Sequence, residues 1–485
     1  MKPVLLIDFG STYTKLTAVD VESETLLGTA AAYTTVQTDI NDGLSQGLAK
    51  LEKITGKITY DKCYACSSAA GGLRMVTSGL VPELTGEAAK LASLGAGAKV
   101  VGIYAFQLTE DDMQDIIASK PDIFLLVGGT DGGNTECIIH NAKMLASIQP
   151  KFPIVIAGNR SAARECERIL AGCDVSICPN VMPKFGVLKI EETQKKIREI
   201  FLNRIVQAKG LSKAAELLSD IMMPTPSAVL QAMSLLAQGC EGEPGIGELV
   251  AVDVGGATTD VYSIADGMPE HMSTVYKGLP EPYAKRTVEG DIGMRYSIQG
   301  IVDAAGIDAV ARLSGLSAER AQELIDDLKN NTDKVPNGDQ ELEALDFALA
   351  SLAVKEAVAR HSGTIEETYT MMGQVFVQEG KNLTKVRQIV VTGGSLIHTK
   401  RTEQIAAHAL YSPLDPASLR PKEADVWVDR TYILAAMGLL SSYYPQVALR
   451  IMKKELEYHG HSEQTDLRGR VSETASGSAD PVAHR

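Results

Sequence analysis

The chain has 485 residues, 45% of them hydrophobic and 22% charged, with a formal net charge of −14 at pH 7. That length exceeds one ordinary core and predicts a soluble globular protein of two or more domains. The acidic balance argues against nucleic acid, which needs a basic surface, and against attraction to an anionic membrane.

The opening run MKPVLLIDFG meets Asp8 too early to form a signal-peptide core. No apolar stretch reaches the length of a membrane span, so the expected location is the cytoplasm. The 7 cysteines show no regular framework, which fits a reducing compartment. Cys63 and Cys66 form one CxxC with no second pair to complete a zinc site. They read as buried or incidental thiols, with redox or metal chemistry as the alternative.

Residues 1–20 read as a β-hairpin: an apolar run ends in Asp8, Gly10 follows, and Ser11 and Thr12 lead into a second alternating run. Residues 42–54 have helical spacing. Residues 63–70 read as a strand entering Gly71-Gly72, and a helix begins near Pro82 with Glu83 and Glu87 at its N-terminal end. Strands at 123–127, 154–157 and 175–178, separated by helices, predict a βαβαβ segment with a parallel sheet, inserted over residues 120–180. Residues 189–218 read as mainly helical, a solvated face or a partner surface. Pro224, Pro226 and the run GCEGEPGIG at 239–247 mark a boundary between a first lobe, 1–240, and a second, 248–430.

The second lobe opens with LVAVDVGGATTDVYSI (249–264), a repeat of the first hairpin built on Asp253, Gly255, Gly256, Thr258 and Thr259. Residues 317–329 and 340–361 read as helices broken by Asn337-Gly338. Residues 388–392 read as a buried strand ending at Gly393-Gly394-Ser395. Residues 431–458 carry an apolar helix that returns to the first lobe, and 459–485 lack apolar periodicity and read as a disordered tail, His459 and His461 included.

Three of these pieces carry chemistry. Gly10 permits close backbone approach, so main-chain amides and the hydroxyls of Ser11 and Thr12 can meet phosphate oxygens. Asp8 suits a hydrated Mg²⁺, and Lys15 adds a point positive charge. Asp253 would orient the metal or an attacking water beside a γ-phosphate, while Asp260 ends the turn or supports the hairpin. Gly393 and Gly394 expose backbone along which adenine or ribose passes without a Cβ clash. The turn 128–134 (GGTDGGN) is either a βα turn with Asn134 capping a helix or a contact with nucleotide or partner in which Asp131 holds a metal. Ser67, Ser68 and Arg74 form a strand-to-helix turn or a partner contact.

In order, these motifs resemble the actin, heat-shock-protein-70 and sugar-kinase superfamily, and no GxxxxGK[ST] loop competes. The resemblance implies an α/β fold of two ribonuclease-H-like lobes clamping ATP and Mg²⁺. Asp8 and Asp253 would flank the metal, and two connecting helices would run between the lobes, at Glu289–Gly293 and Ala435–Gly438. More closely, LLIDFGSTYTKLTAVD, CSSAAGGLRMV, LVGGTDGGN, GDIGMR and VVTGGSLIH are similar to the glutamate mutase L family. That likeness implies an ATP-dependent reactivating chaperone, a slow ATPase whose partner is an adenosylcobalamin-dependent mutase, either glutamate mutase or an aminomutase. The Asp-x-His-x-x-Gly cobalamin signature is missing from the chain. The alternatives are a small-molecule kinase, with Asp291 or Asp131 as base, or a filament or scaffold protein, since fold alone does not select among them.

Overall fold

A computed structural model describes residues 1–10, 13–34, 40–68, 73–208, 220–270, 273–371 and 373–463. In chain order, the first lobe begins with β1 (Pro3–Phe9), β2 (Tyr13–Asp20), β3 (Thr25–Tyr33), a helix over Ile40–Thr55 and β4 (Lys62–Ser67). There follow β5 (Leu73–Gly79), β6 (Ala98–Ala105), β7 (Ile123–Leu126), β8 (Ile154–Ile156), β9 (Val175–Ile177) and then β10 (Asp220–Pro224). A helix over Thr225–Gln238 leads through a two-residue-stranded hairpin, β11 (Gly239–Cys240) and β12 (Glu243–Pro244), into the second lobe. Its strands are β13 (Leu249–Val254), β14 (Thr259–Ile264), β15 (Thr274–Lys277), β16 (Ala284–Glu289), β17 (Thr364–Thr370), β18 (Gly373–Glu379), β19 (Gln388–Thr392), β20 (Glu423–Val428) and β21 (Glu457–Glu463).

The two lobes have the same strand order. In the first, the sheet runs β10-β4-β1-β2-β3, and in the second β16-β14-β13-β19-β20, with β21 added at its edge. Each has three antiparallel strands followed by two parallel ones. This is the ribonuclease-H-like plan, and it occurs twice. The tail expected from residue 459 is corrected here: Glu457–Glu463 pairs with β20, where His461 meets Asp425 at 2.9 Å. Residues 464–485 lie outside the described residues.

The inserted segment is larger than the pattern at 120–180 predicts. It is a five-stranded parallel sheet in the order β6-β5-β7-β8-β9, so two strands at 73–79 and 98–105 belong to it. The helix expected at Pro82 starts as a π-helical turn, Pro82–Gly86, that continues as an α-helix over Glu87–Gly95.

Strands buried on both faces divide their residues by parity. Leu5, Ile7 and Phe9 of β1 pack against the inserted sheet, whereas Val4 and Leu6 face the other way. Val250, Val252 and Val254 of β13 pack against the helices over Ile298–Ala305 and Gln340–His361, whereas Leu249 and Ala251 face back toward Val4 and Leu6. Between these facing surfaces lie two helices, Thr225–Gln238 and Leu434–Ser441, whose Ala232, Met233, Met437 and Leu440 complete the shared core. They are the connecting helices. The first is therefore Thr225–Gln238 rather than Glu289–Gly293, which ends β16 and turns away without forming a helix.

The two connecting helices touch where Gly438 lies on the backbone of Ala228, leaving no room for a Cβ. Gly438→Ala should push the helices apart and cost about 1–3 kcal/mol, the usual penalty of overpacking. Denaturant unfolding checks this, and an unchanged midpoint would contradict the contact.

Candidate functional site

The parity that builds the core also builds the site. Asp8 follows Val4 and Leu6 on β1, and Asp253 follows Leu249 and Ala251 on β13, so both carboxylates leave their strands on the faces that look toward each other. Thr392 at the end of β19 and Asp429 just after β20 share that side, in step with Val390 and Trp427.

The described residues of the two hairpin turns close in the same way. Gly10 N–H donates to Tyr13 O (3.1 Å), and Gly255 N–H donates to Thr258 O (2.9 Å). Asp8 lies opposite Lys15 across the first hairpin, and Asp253 opposite Asp260 across the second. At Gly10 a Cβ would stand 2.5 Å from the Tyr13 carbonyl oxygen, so the turn admits only glycine. Ser11 and Thr12 lie outside the described residues.

Three carboxylates, Asp8, Asp253 and Asp429, lie around these turns, with the Lys15 ammonium beside Asp8. Asp8 is 5% exposed and accepts a hydrogen bond from the Thr225 hydroxyl at 2.5 Å, with the Cys66 thiol at 3.5 Å. Lys15 Nζ stands 3.8 Å from Asp8 Oδ2 and 3.3 Å from the centre of the Tyr432 ring. Asp429 accepts the backbone N–H groups of Ile433 (2.9 Å) and Leu434 (3.3 Å) and the Thr392 hydroxyl (3.3 Å). Asp253 Oδ1 is shut off from solvent with no hydrogen-bond partner among the described residues. Burial pushes the Asp253 carboxyl up to about 6, opposed by Lys15 and reinforced by the charges of Asp260, Asp429 and Asp8. Burial also raises Asp429, offset by its two backbone donors. Asp260 is engaged elsewhere, by Arg286 Nε at 2.8 Å.

In the second hairpin, the Gly255 and Gly256 carbonyls accept the amides of Met294 (3.0 Å), Arg295 (2.9 Å) and Tyr296 (2.9 Å). The amides of Gly256 and Ala257 make no hydrogen bond among the described residues. They are therefore available to an anion. Thr258 is part-buried beside them, with its hydroxyl 3.4 Å from Asp260 Oδ2. Thr259 is a correction: it is fully buried and its hydroxyl donates to Ile292 O at 3.1 Å, so it braces the turn instead of facing the cleft.

At the end of β19, Gly393 (φ 104°) lies directly on the backbone of Val254, next to Asp253. A side chain there would strike the β13 backbone. Gly394 is exposed, with open space where a Cβ would stand, and Ser395 is half-buried beside it.

In the remaining candidate turns the side chains hydrogen-bond to nearby backbone and amide groups. Asp131 accepts Arg160 N–H (3.0 Å) and the Asn180 side-chain amide (3.0 Å), and Asn134 accepts Cys137 N–H (3.1 Å) at the start of its helix. Arg74 donates to Ser119 O at 2.8 Å, and Ser68 N–H donates to Phe9 O at 3.0 Å. Asp291 pairs with Arg360 at 3.0 Å. A separate crevice of about 330 Å³ lies between the inserted sheet and the second lobe, lined by Lys90, Lys99, Glu289 and Arg360.

Thr225, Asp429 and Tyr432 belong to the site but are not legible in the sequence, and Cys66 joins them from the CxxC pair. Among the described residues no three His, Cys, Asp or Glu side chains are grouped so as to hold a metal by themselves. Mg²⁺ keeps most of its waters and binds through one or two carboxylates plus phosphate oxygens. The unpartnered Asp253 oxygen and the excess of carboxylates over ammonium fit such an ion. No helix among the described residues is long and apolar enough to cross a membrane.

Against known proteins, the profile of the family described as MutL protein matches residues 4–456. "Protein MutL" of Clostridium tetanomorphum is 47% identical over 460 residues, 94% of this chain and 99% of that protein. Among solved structures, a xylulose kinase from Lactobacillus acidophilus covers 96% of this chain and 94% of its own at 12% identity and a TM-score of 0.36. A Plasmodium falciparum glycerol kinase with ADP covers 98% and 96% at 10% identity and the same TM-score of 0.36. These likenesses are too loose to carry chemistry across. The match along nearly its whole length and the identity to its Clostridium relative make this chain a member of the MutL (glutamate mutase L) family.

Proposed function

We propose that the chain is an accessory ATPase that uses ATP and Mg²⁺ to reactivate an adenosylcobalamin-dependent mutase, releasing damaged cobalamin from it. One observation carries the nucleotide half of this reading: two glycine turns of the same construction face each other across one pair of connecting helices, each beside an aspartate. Asp8 and Asp253 would hold the hydrated ion, while the turns at Gly10 and Gly255-Gly256 would meet phosphates. Gly393, Gly394 and Ser395 would lie along the adenosine. The N-terminus of the helix over Thr225–Gln238 stands at Asp8, and its dipole favours the anionic end of the nucleotide. A ligand touching both lobes favours their closed arrangement, and hydrolysis removes that preference.

The mutase half rests on family membership. Its name makes glutamate mutase the first client to test, with an aminomutase second. Full-length protein, ATP and an inactivated mutase should together restore mutase activity, and the omission of ATP should abolish the rescue. ATP consumption that instead required a sugar or a carboxylic acid would overturn the reading in favour of a kinase.

Asp8→Ala and Asp253→Ala should each lower ATP turnover by about 100-fold or more while leaving the circular dichroism spectrum native. Unchanged turnover in both would remove the assignment.

The raised Asp253 carboxyl also makes a stability prediction. Its native value of about 6 lies above the ordinary 3.8, so the folded chain holds this proton more tightly than the unfolded chain does. The stabilisation from the bound proton is complete below about pH 4 and is lost as pH rises through about 6. In metal-free and nucleotide-free buffer, Asp253→Asn should therefore be more stable than wild type at pH 7.5, by on the order of 1–3 kcal/mol. The difference should narrow as pH falls from 6 toward the ordinary 3.8. Urea unfolding at several pH values checks both the sign and the window.

A further inference from the structure

We propose that Lys15 is a built-in counter-ion that keeps the place of the divalent ion between the lobes until nucleotide arrives. The inference rests on the reading that Asp8 and Asp253 hold Mg²⁺, and it assigns Lys15 a role in the empty state that a phosphate-binding lysine does not need.

The geometry is specific. Lys15 belongs to the first lobe, yet its ammonium lies over the Tyr432 ring of the second, 3.3 Å from the centroid, while standing 3.8 Å from Asp8 Oδ2. Its charge opposes the upward push that burial gives the carboxyls of Asp253 and Asp429. The ammonium thus stands between Asp8 of one lobe and Tyr432 of the other, beside a carboxylate that would share the ion with Asp253.

The ring that receives it is pre-built. Tyr432 has a left-handed backbone (φ 57°), rare for an aromatic residue. It is held there because Asp429 O accepts the Tyr432 amide (3.2 Å) and the Asp429 carboxylate accepts the next two amides. An aromatic face attracts an ammonium more strongly once water is excluded, and Tyr432 is buried enough that its hydroxyl is held well above its ordinary value.

The duplicated hairpin shows that this charge is particular to one lobe. The position equivalent to Lys15 in the second hairpin is Asp260, which Arg286 already neutralises. Only the first hairpin sends a cation into the cleft. The titratable groups around it are Asp8, Asp253, Asp429, Tyr432 and the neutral Cys66 thiol, which burial holds well above its ordinary value. One positive charge against Asp8, Asp253 and Asp429 leaves an excess of negative charge that a divalent ion matches. A lysine, a compact point charge on a flexible stem, can leave these carboxylates to the ion and turn to the phosphates. Lys15 and the free ion therefore compete for the same carboxylates, and metal without nucleotide should bind the wild-type site poorly.

Thermal unfolding of the full chain in chelator-treated, nucleotide-free buffer tests this. Lys15→Met should melt lower than wild type, and millimolar MgCl₂ alone should raise its Tm by about 2 °C or more while leaving wild type unmoved. Adding Asp8→Asn to Lys15→Met should abolish the magnesium response. Equal responses in wild type and Lys15→Met, or a metal-free Lys15→Met as stable as wild type, would overturn the proposal. If Lys15→Met does not fold, Tyr432→Leu, which removes the ring but keeps the charge, should show a smaller magnesium response, and none would overturn it. Mg·ATP on wild type separates the two readings. If Mg·ATP fails to raise the wild-type Tm, the nucleotide reading falls and takes this one with it. If it does raise it while Lys15→Met and wild type respond alike to MgCl₂, only the placeholder role is lost.

Discussion

The contact of Gly438 with the Ala228 backbone sets the distance between the lobes, and the site depends on that distance. Two apolar helices lie between two sheets, and each sheet offers one face to them. Because a strand alternates its side chains, the residues that build this shared core also determine which carboxylates project into the cleft beyond it. Asp8 and Asp253 are the continuation of Val4, Leu6, Leu249 and Ala251. A looser helix pair would separate the carboxylates, and a one-residue register slip would turn either of them into an apolar layer. The same pair of helices starts at the cleft, with Thr225 on Asp8 and Asp429 capping the second. Core packing and charge placement are therefore one construction.

The two halves of the molecule share a strand order and a turn but not a charge pattern. One hairpin carries Lys15 opposite its aspartate, and the other carries Asp260, locked to Arg286. Arg286 is 4% exposed and also donates to the carbonyls of Leu94 (3.2 Å) and Ala98 (2.9 Å) in the inserted domain. That domain shares a hydrophobic core with the first lobe through Ile7, Phe9, Ile123 and Val155. The guanidinium thus ties the second phosphate hairpin to a domain carried by the first lobe. A fully buried guanidinium holds such a place only when its donors are satisfied, and these carbonyls and Asp260 satisfy them.

Much of this was legible in the chain. The paired hairpins, the strand ending at Gly393-Gly394 and the helices at 317–329 and 340–361 are local patterns of alternation, glycine and helical spacing, and the structure contains each of them. The misreadings share a cause. Glu289–Gly293 has the glycines and order expected of a connecting segment, but the connecting helix is recognised by what lies above and below it, which a linear pattern does not record. Strands β5 and β6 were missed because their short apolar runs pair only with each other and with β7, far along the chain. Glu457–Glu463 has no apolar periodicity and becomes a strand because the edge of β20 accepts it.

The local elements are written in the amino-acid sequence: where strands end in aspartate, where only glycine fits the turn, and that the motif occurs twice. Which residues meet is a matter of how the lobes pack together. Asp429, Thr225, Tyr432 and Cys66 join Asp8 and Asp253 from elements distant in the chain, and nothing near Asp429, Thr225 or Tyr432 in sequence marks it as part of a site. Thr259, next to a true turn residue, is turned inward by the alternation of its own strand. The reason is physical: turns and strand ends are set by forces acting over a few residues, whereas the charge of a buried site is the sum over every strand end that the core brings together.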